Sequence, residues 1–208
     1  MRFFRKRLGL WEIVLEKPKY YKERIINTRL GGISMKETIQ DLKSRRSCRA
    51  YTDQKIEENV LDQILEAGSY APSGMGKQSA VMVCIENKQV RDLVAQLNAQ
   101  IMNADIDPFY GAGVVVVVFA DTRVNTYRDD GNLVIGNLLN AAHALGVDSC
   151  YIYRAREVFK TSKGKELMKE WGLSEDYEGI GNVILGYGKP EGKKEAEPRK
   201  ENYIIKVK

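Results

Sequence analysis

Arg45-Arg46-Ser47-Cys48-Arg49 puts three guanidinium groups and a hydroxyl on one short connection. Each guanidinium is a rigid planar fork that bonds two oxygens at once, so clustered arginines beside a serine suit a phosphate. A solvated charged loop is the commoner use of such a run, and the cluster alone decides nothing. A second candidate is Ala71-Pro72-Ser73-Gly74-Met75-Gly76-Lys77-Gln78. Its glycines let backbone N–H groups approach a ligand closely, and Ser73 and Gln78 add polar contacts, although most loops of this composition are plain turns. Cys48 lies among arginines that would lower its pKa, which allows a reactive thiol; a small spacer residue is the other reading. The lone histidine, His143, sits in a helical pattern and reads as a partly buried helix residue, not as a metal or catalytic ligand.

These residues need elements to position them. The spacing predicts a short helix from Met35 to Lys43 before the arginines, and a second from Lys55 to Ser69 with Val60, Leu61, Ile64, Leu65 and Ala67 on one face. Val81 to Ile85 reads as a strand, and Lys88 to Ile101 as an amphipathic helix ended by Asp107-Pro108. Val114 to Ala120 is β-branched without alternation, as in a central strand covered on both faces. Asp129-Asp130-Gly131 opens a long helix to Leu145, apolar on much of its circumference and a candidate for a core or a dimer interface. Then come a strand Ser149–Ile152, a helix Arg156–Trp171, a strand Asn182–Leu185 and a β-prone tail, Tyr203 to Val207, with too little apolar surface to stand alone. Gly111-Ala112-Gly113 precedes a strand instead of following one, which excludes a Rossmann fingerprint, and no G-x-x-x-x-G-K-[ST] loop exists.

The 208 residues, 43% hydrophobic and 29% charged, suit one globular domain with a substantial core. The longest apolar run, 111–120, is far short of a bilayer span. Three cysteines without paired spacing fit a reducing cytoplasm and neither a disulfide framework nor zinc. The net charge of +5 is unevenly spread: residues 1–34 hold nine Lys/Arg against three Glu, while the rest is nearly neutral. That leader reads as a basic extension able to meet nucleic acid or an anionic surface, or as a mis-assigned start with Met35 the natural initiator. Gly31-Gly32-Ile33-Ser34 favours the second reading; the capping-box spacing of Ser34 with Glu37 opposes it.

Taken in order, R-R-S-C-R, A-P-S-G-M-G-K-Q, a valine strand, D-D-G-N leading to N-A-A-H-A-L-G, S-C-Y-I, I-L-G-Y-G-K-P and a trailing P-R-K resemble the nitroreductase family of flavoproteins over residues 35–207. The resemblance implies an α+β fold with a central mixed sheet flanked by helices, and a homodimer holding FMN at the subunit interface. It implies hydride transfer from NAD(P)H through flavin N5 to nitroaromatic, quinone or similar small acceptors, with no catalytic side chain needed and neither membrane nor nucleic acid as partner. Relatives that fragment the flavin or dehalogenate substrates remain an alternative, as does surface binding through residues 1–34. By the same resemblance Arg45, with Arg46 beside it, and Arg199, with Lys200 beside it, face the phosphate, and Ser47 faces the phosphate or ribityl chain. Arg49 is the cation near the pyrimidine edge, where reduction leaves negative charge. Ser73 and Gly74 belong to the stretch supplied by the opposite subunit, Gln78 in the same loop is a further cofactor-binding residue, Asn98 is an amide toward the ring or else an ordinary exposed helix residue, and Ser149 to Arg154 lies against N5 with Tyr153 closest. Gly76, Ser79-Ala80 and Tyr151-Ile152-Tyr153 depart from the common family pattern, which leaves the pocket wall and the acceptor open.

Overall fold

The computed structural model describes residues 3–7, 10–14 and 36–208. The chain divides into two compact units, Met1–Lys36 and Glu37–Lys208. In the first, β1 (Phe3–Arg7) and β2 (Leu10–Val14) form an antiparallel hairpin that pairs Phe3 with Val14 and Arg7 with Leu10. The readings placed on Gly31 to Ser34 lie outside the described residues.

The second unit is built around β4 (Val114–Asp121). Its β-branched side chains alternate between two apolar layers: Val115, Val117 and Phe119 enter one, Val114, Val116 and Val118 the other, and all six are buried. β4 is flanked by β3 (Ala80–Ile85) and β6 (Tyr177–Gly186), and β5 (Asp148–Ile152) lies outside β6, giving the order β3-β4-β6-β5. α2 (Glu58–Ser69) and α4 (Tyr127–Ala144) supply the layer with Val116; α3 (Lys88–Met102), α5 (Ala155–Val158) and α6 (Ser162–Glu170) supply the layer with Val117. Phe119 anchors that second layer, its ring 4.7 Å from Phe159 and 6.2 Å from Trp171. α1 (Glu37–Ser44) buries no residue and is tied to α4 by Ser44 Oγ, 2.8 Å from His143 Nε2, so the histidine is a partly buried helix residue.

Two expectations are corrected. The four strands are all antiparallel, and the sheet is mixed only through an isolated parallel bridge between Ser47 and Ser149. Helical connections usually return a chain parallel. Here the segment 103–113 after α3 turns again, with Asn103, Tyr110 and Gly111 left-handed at φ 52°, 53° and 79°. The single helix anticipated from Arg156 to Trp171 is two. Thr161 Oγ1 accepts from Gly164 N at 3.0 Å to start α6, and a Cβ on Gly164 would lie 2.1 Å from the Val158 carbonyl, so the chain folds back where only glycine fits. A register shift at Val118/Phe119 leaves Ile180 as the extra residue of β6, between Gly179 and Gly181. The tail forms no strand, and residues 193–208 are all exposed. No helix among the described residues is long and apolar enough to cross a membrane.

Candidate functional site

Residues 45–51 leave α1 and run along the free edge of β5. Cys48 N donates to the Ser149 carbonyl at 3.0 Å and Arg49 N to the Gly192 carbonyl at 2.8 Å. Arg46 turns its guanidinium back onto the carbonyls of Lys43 (2.8 Å) and Arg45 (2.7 Å), closing the end of α1, and so serves the connection itself. Arg45 has one buried nitrogen, Nη1, without an acceptor, and Ser149 in the adjoining strand has a buried hydroxyl, also without a partner. Buried donors left unpaired are costly, and two on neighbouring segments mark a place where an anion would satisfy both. Ser47 is half-buried between them in sequence and pairing, and Arg49 is exposed with no carboxylate partner among the described residues. Arg45, Ser47 and Ser149 could together form a cradle for a phosphate-sized anion, with Arg49 as a further cation on the same connection.

Behind the cradle the packing is tight. Cys48 is wholly buried, and a Cβ on Gly188 or Gly192 would stand 2.5 or 2.7 Å from its sulfur. Burial pushes the thiol pKa up, and Sγ–H is engaged on the Ala50 carbonyl at 3.2 Å. Cys48 is therefore a spacer and not a reactive thiol. Iodoacetamide is expected to leave it unmodified in native protein and to label it only after denaturation; peptide mass spectrometry checks this, and rapid native labelling would contradict the packing. Tyr51 donates to the Cys48 carbonyl at 3.0 Å, while Asp148 accepts from Gly188 N and Lys193 Nζ, both at 2.9 Å, so the whole turn is fixed from below.

At the far end of β5 the chain exposes two aromatic rings. Tyr151 lies over Gly181, whose missing Cβ would sit 2.4 Å from the ring, and Tyr153 is 54% exposed. Asn98 was anticipated to face a ligand, but it is wholly buried. Its Nδ2 donates to the Tyr153 carbonyl at 2.9 Å and its Oδ1 accepts from Arg154 Nε at 3.2 Å. Its amide is thus engaged at both ends, and it supports the backbone of the site instead of lining it. Sequence reasoning also missed Asn182, whose signal was a lone amide inside an apolar strand; it is buried and donates to the Ile152 carbonyl at 3.1 Å.

The loop after α2 is held by a residue read only as a helix opener. Asp130 is 3% exposed and accepts from Gly74 N (2.9 Å), Ser79 Oγ (2.6 Å) and Thr126 Oγ1 (3.2 Å). Burial is the largest influence and would raise its pKa, yet the donors together hold it below the ordinary aspartate value. Gly74 is required here, since a Cβ would meet Thr126 Oγ1 at 2.3 Å. Ser73 Oγ accepts from Gln78 N at 2.9 Å, and Met75, Gly76 and Gln78 are left-handed at φ 53°, 65° and 48°. The loop presents Met75 and Gln78 outward, and the hydrogen bonds of Ser73 and Gly74 are to Gln78 and Asp130, not to the arginine connection. Arg199 is likewise exposed in the tail, its guanidinium on the Glu197 carbonyl, and no contact joins it to Arg45 or Arg49. A separate cavity of about 940 Å³ lies against α3 and residues 104–114 and is lined by none of the anticipated site residues; its buried Arg91 is already met by Asp92, Asp107 and the Ala112 carbonyl.

Comparison with known proteins agrees with this fold. Residues 42–113 match the model described as the nitroreductase family. A protein of Archaeoglobus fulgidus provisionally described as an NADH dehydrogenase/NAD(P)H nitroreductase is 27% identical over 164 residues, 76% of this chain and 88% of its own length. An NAD(P)H-linked FMN reductase of Bacillus subtilis is 35% identical over 63 residues, only 30% of this chain and 25% of its own. The crystal structure of a nitroreductase with bound FMN from Bacteroides fragilis superposes with a TM-score of 0.77 at 25% identity, covering 84% of this chain and 100% of that one.

Proposed function

We propose that the chain is a member of the nitroreductase family, whose model matches residues 42–113, and that it is an FMN-dependent NAD(P)H oxidoreductase. In this reading it passes reducing equivalents to a nitroaromatic, quinone or similar small acceptor in two separate half-reactions, and works as a homodimer with FMN at the subunit interface. The observation that carries the reading is the pair of buried, unpartnered donors, Arg45 Nη1 and Ser149 Oγ, on adjoining segments. A phosphate offers several acceptor oxygens and two negative charges, which is what such donors lack. Arg45, Ser47 and Ser149 would hold the phosphate end of FMN, and exposed Arg49 would stand toward the ring.

When bound, FMN supplies the hydride chemistry, so the protein needs no acid, base or nucleophile of its own. Its side chains bind and orient. Arg49 would place a cation where negative charge develops, and Tyr151 and Tyr153 would give an aromatic wall for a planar acceptor. The second subunit is supported by apolar side chains left open on α1, α4 and the tail: Ile39, Leu42, Leu133, Tyr203, Ile204 and Ile205 are each at least 46% exposed. A partner would bring its Ser73–Gln78 loop and its Arg199 toward this cradle, which explains why neither reaches the cradle of its own chain. Purified protein is expected to be yellow, to run as a dimer in light scattering, and to bleach when NADH or NADPH is added without oxygen. Colourless protein that takes up no FMN would overturn the proposal.

A further inference from the structure

One carboxylate at the start of β6 gathers more cations than it can neutralise. The side chain of Glu178 is only 12% exposed, and its Oε1 lies 3.1 Å from Arg128 Nε, 3.1 Å from Arg156 Nε and 3.2 Å from Tyr127 Oη, with Lys160 Nζ 3.6 Å from Oε2. Burial would raise its pKa, yet Arg128, Arg156 and Tyr127 hold it below the ordinary glutamate value, so it stays ionised. Three cations thus share one charge. At the neighbouring Arg123 the balance is the reverse, since Asp121 at 2.7 Å and Asp176 at 3.4 Å both meet it. Glu157, beside Arg156, is offset in charge by Arg154, whose guanidinium stands 6.0 Å from the Tyr153 ring. Arg156 is the sharpest case: its Nε is buried and, although close to Glu178, has no aligned acceptor among the described residues. Repulsion between cations and an unpaired buried donor both make the cluster costly as a device for stability.

The cluster adjoins the aromatic wall. On α4, Arg128, Gly131 and Ile135 are spaced three and four apart and so share a face. That face lies along β6: a Cβ on Gly131 would meet Ile180 at 2.7 Å, and one on Gly181 would meet Ile135 at 2.9 Å and the Tyr151 ring at 2.4 Å. The stretch of β6 from Gly181, under Tyr151, to Glu178 is about 10 Å at the usual rise per residue. Burial and the neighbouring Tyr153 raise the pKa of the Tyr151 hydroxyl while Arg156 lowers it, which places that guanidinium within electrostatic reach of the ring.

We propose that Arg128, Arg156 and Lys160, held together by Glu178, recognise an anionic group on the electron acceptor, so that the site selects planar acceptors bearing a carboxylate or sulfonate. That the bound ring is then reduced rests on the function proposed above; its recognition by charge does not. The 2′-phosphate of NADPH is the other anion to consider, but two riboses and a diphosphate span the distance from it to the nicotinamide ring, a longer reach than this stretch of strand offers.

The test uses pairs of nearly equal shape that differ in charge: benzoate against benzamide for binding, read by calorimetry, and 4-nitrobenzoate against 4-nitrobenzamide for turnover. Wild-type protein is expected to favour the acid in both, and the preference to shrink as salt is raised. In Arg156→Met the acid-over-amide ratio is expected to fall about tenfold, as for one lost charge-assisted hydrogen bond. If that variant fails to fold, Lys160→Met, which removes an exposed cation, is expected to lower the ratio about threefold. Arg123→Met, whose cation is already met by two carboxylates, should keep the wild-type ratio. Wild-type protein indifferent to the charge, or unchanged ratios in both Arg156→Met and Lys160→Met, would overturn the inference, as would variants that alter only the preference between NADPH and NADH. Preference for benzoate in a protein that takes up no FMN would uphold the inference and sink the oxidoreductase reading; a flavoprotein that reduces acid and amide alike would do the opposite.

Discussion

Arg45→Met is expected to yield a folded protein that purifies without its flavin. Charge-assisted hydrogen bonds are worth roughly 1.5–3 kcal/mol each. Losing a two-pronged contact therefore weakens FMN binding by about a hundredfold to ten-thousandfold. The flavin-free protein should melt no lower than the wild type, because the substitution removes a buried nitrogen that has no partner in the protein. That opposition separates a ligand role from a structural one: a structural arginine would cost stability and spare the flavin. Arg45→Lys keeps the charge but not the fork, and should recover only part of the affinity. Fluorescence titration with FMN and a thermal melt of the flavin-free protein check both halves. Wild-type flavin content in Arg45→Met would remove the residue from the site.

Asp130→Ala is expected to release the loop 73–79 and to destabilise the fold. The carboxylate is the common acceptor for Gly74 N, Ser79 Oγ and Thr126 Oγ1, and its loss strands three donors at a buried position. A buried polar network broken at one member costs about 3 kcal/mol or more, which in a chain of this length lowers Tm by roughly 6–12 °C. Once released, Met75 and Gln78 have no reason to stay left-handed, and trypsin should cut after Lys77 in the variant but not in the native protein. Acid should do the same reversibly. The folded-state pKa of Asp130 is depressed, so its contribution is fully present above the ordinary aspartate range and is lost as pH falls through the lower folded value. Asp130→Asn should cleave at Lys77 at neutral pH and show no further loosening with acid. Equal protection of the loop in wild type and Asp130→Ala would show that something else holds it.

The parts of this molecule that were legible in its sequence are those where one local pattern decides the outcome. The valine run of β4 announces a strand with two covered faces because no polar residue interrupts it, and α2, α3 and α4 show their buried stripes directly. The arginine connection could be singled out because three guanidinium groups share one loop, although a solvated loop is the commoner use of such a run. What stayed hidden depends on partners distant in sequence. Strand direction is set by how the segment 103–113 turns, and the break between α5 and α6 by a close approach of Gly164 to Val158. Asp130 looks like any acidic residue in a first helical turn until the loop more than fifty residues earlier arrives against it. Asn98 looks like an exposed helix amide until the end of β5 fills its hydrogen bonds.

The parallel bridge between Ser47 and Ser149 has a bearing on how the molecule is made. It joins segments about a hundred residues apart, and closing so long a span is entropically expensive and slow. During synthesis the arginines emerge early, yet their other half does not exist until β5 has left the ribosome. A nascent chain stopped before residue 149 would therefore hold no phosphate in this corner, however complete its helices. On the function proposed above, ligand capture at this corner would belong to the last acts of maturation, and excess cofactor in the medium would rescue slow-folding variants by trapping the finished state.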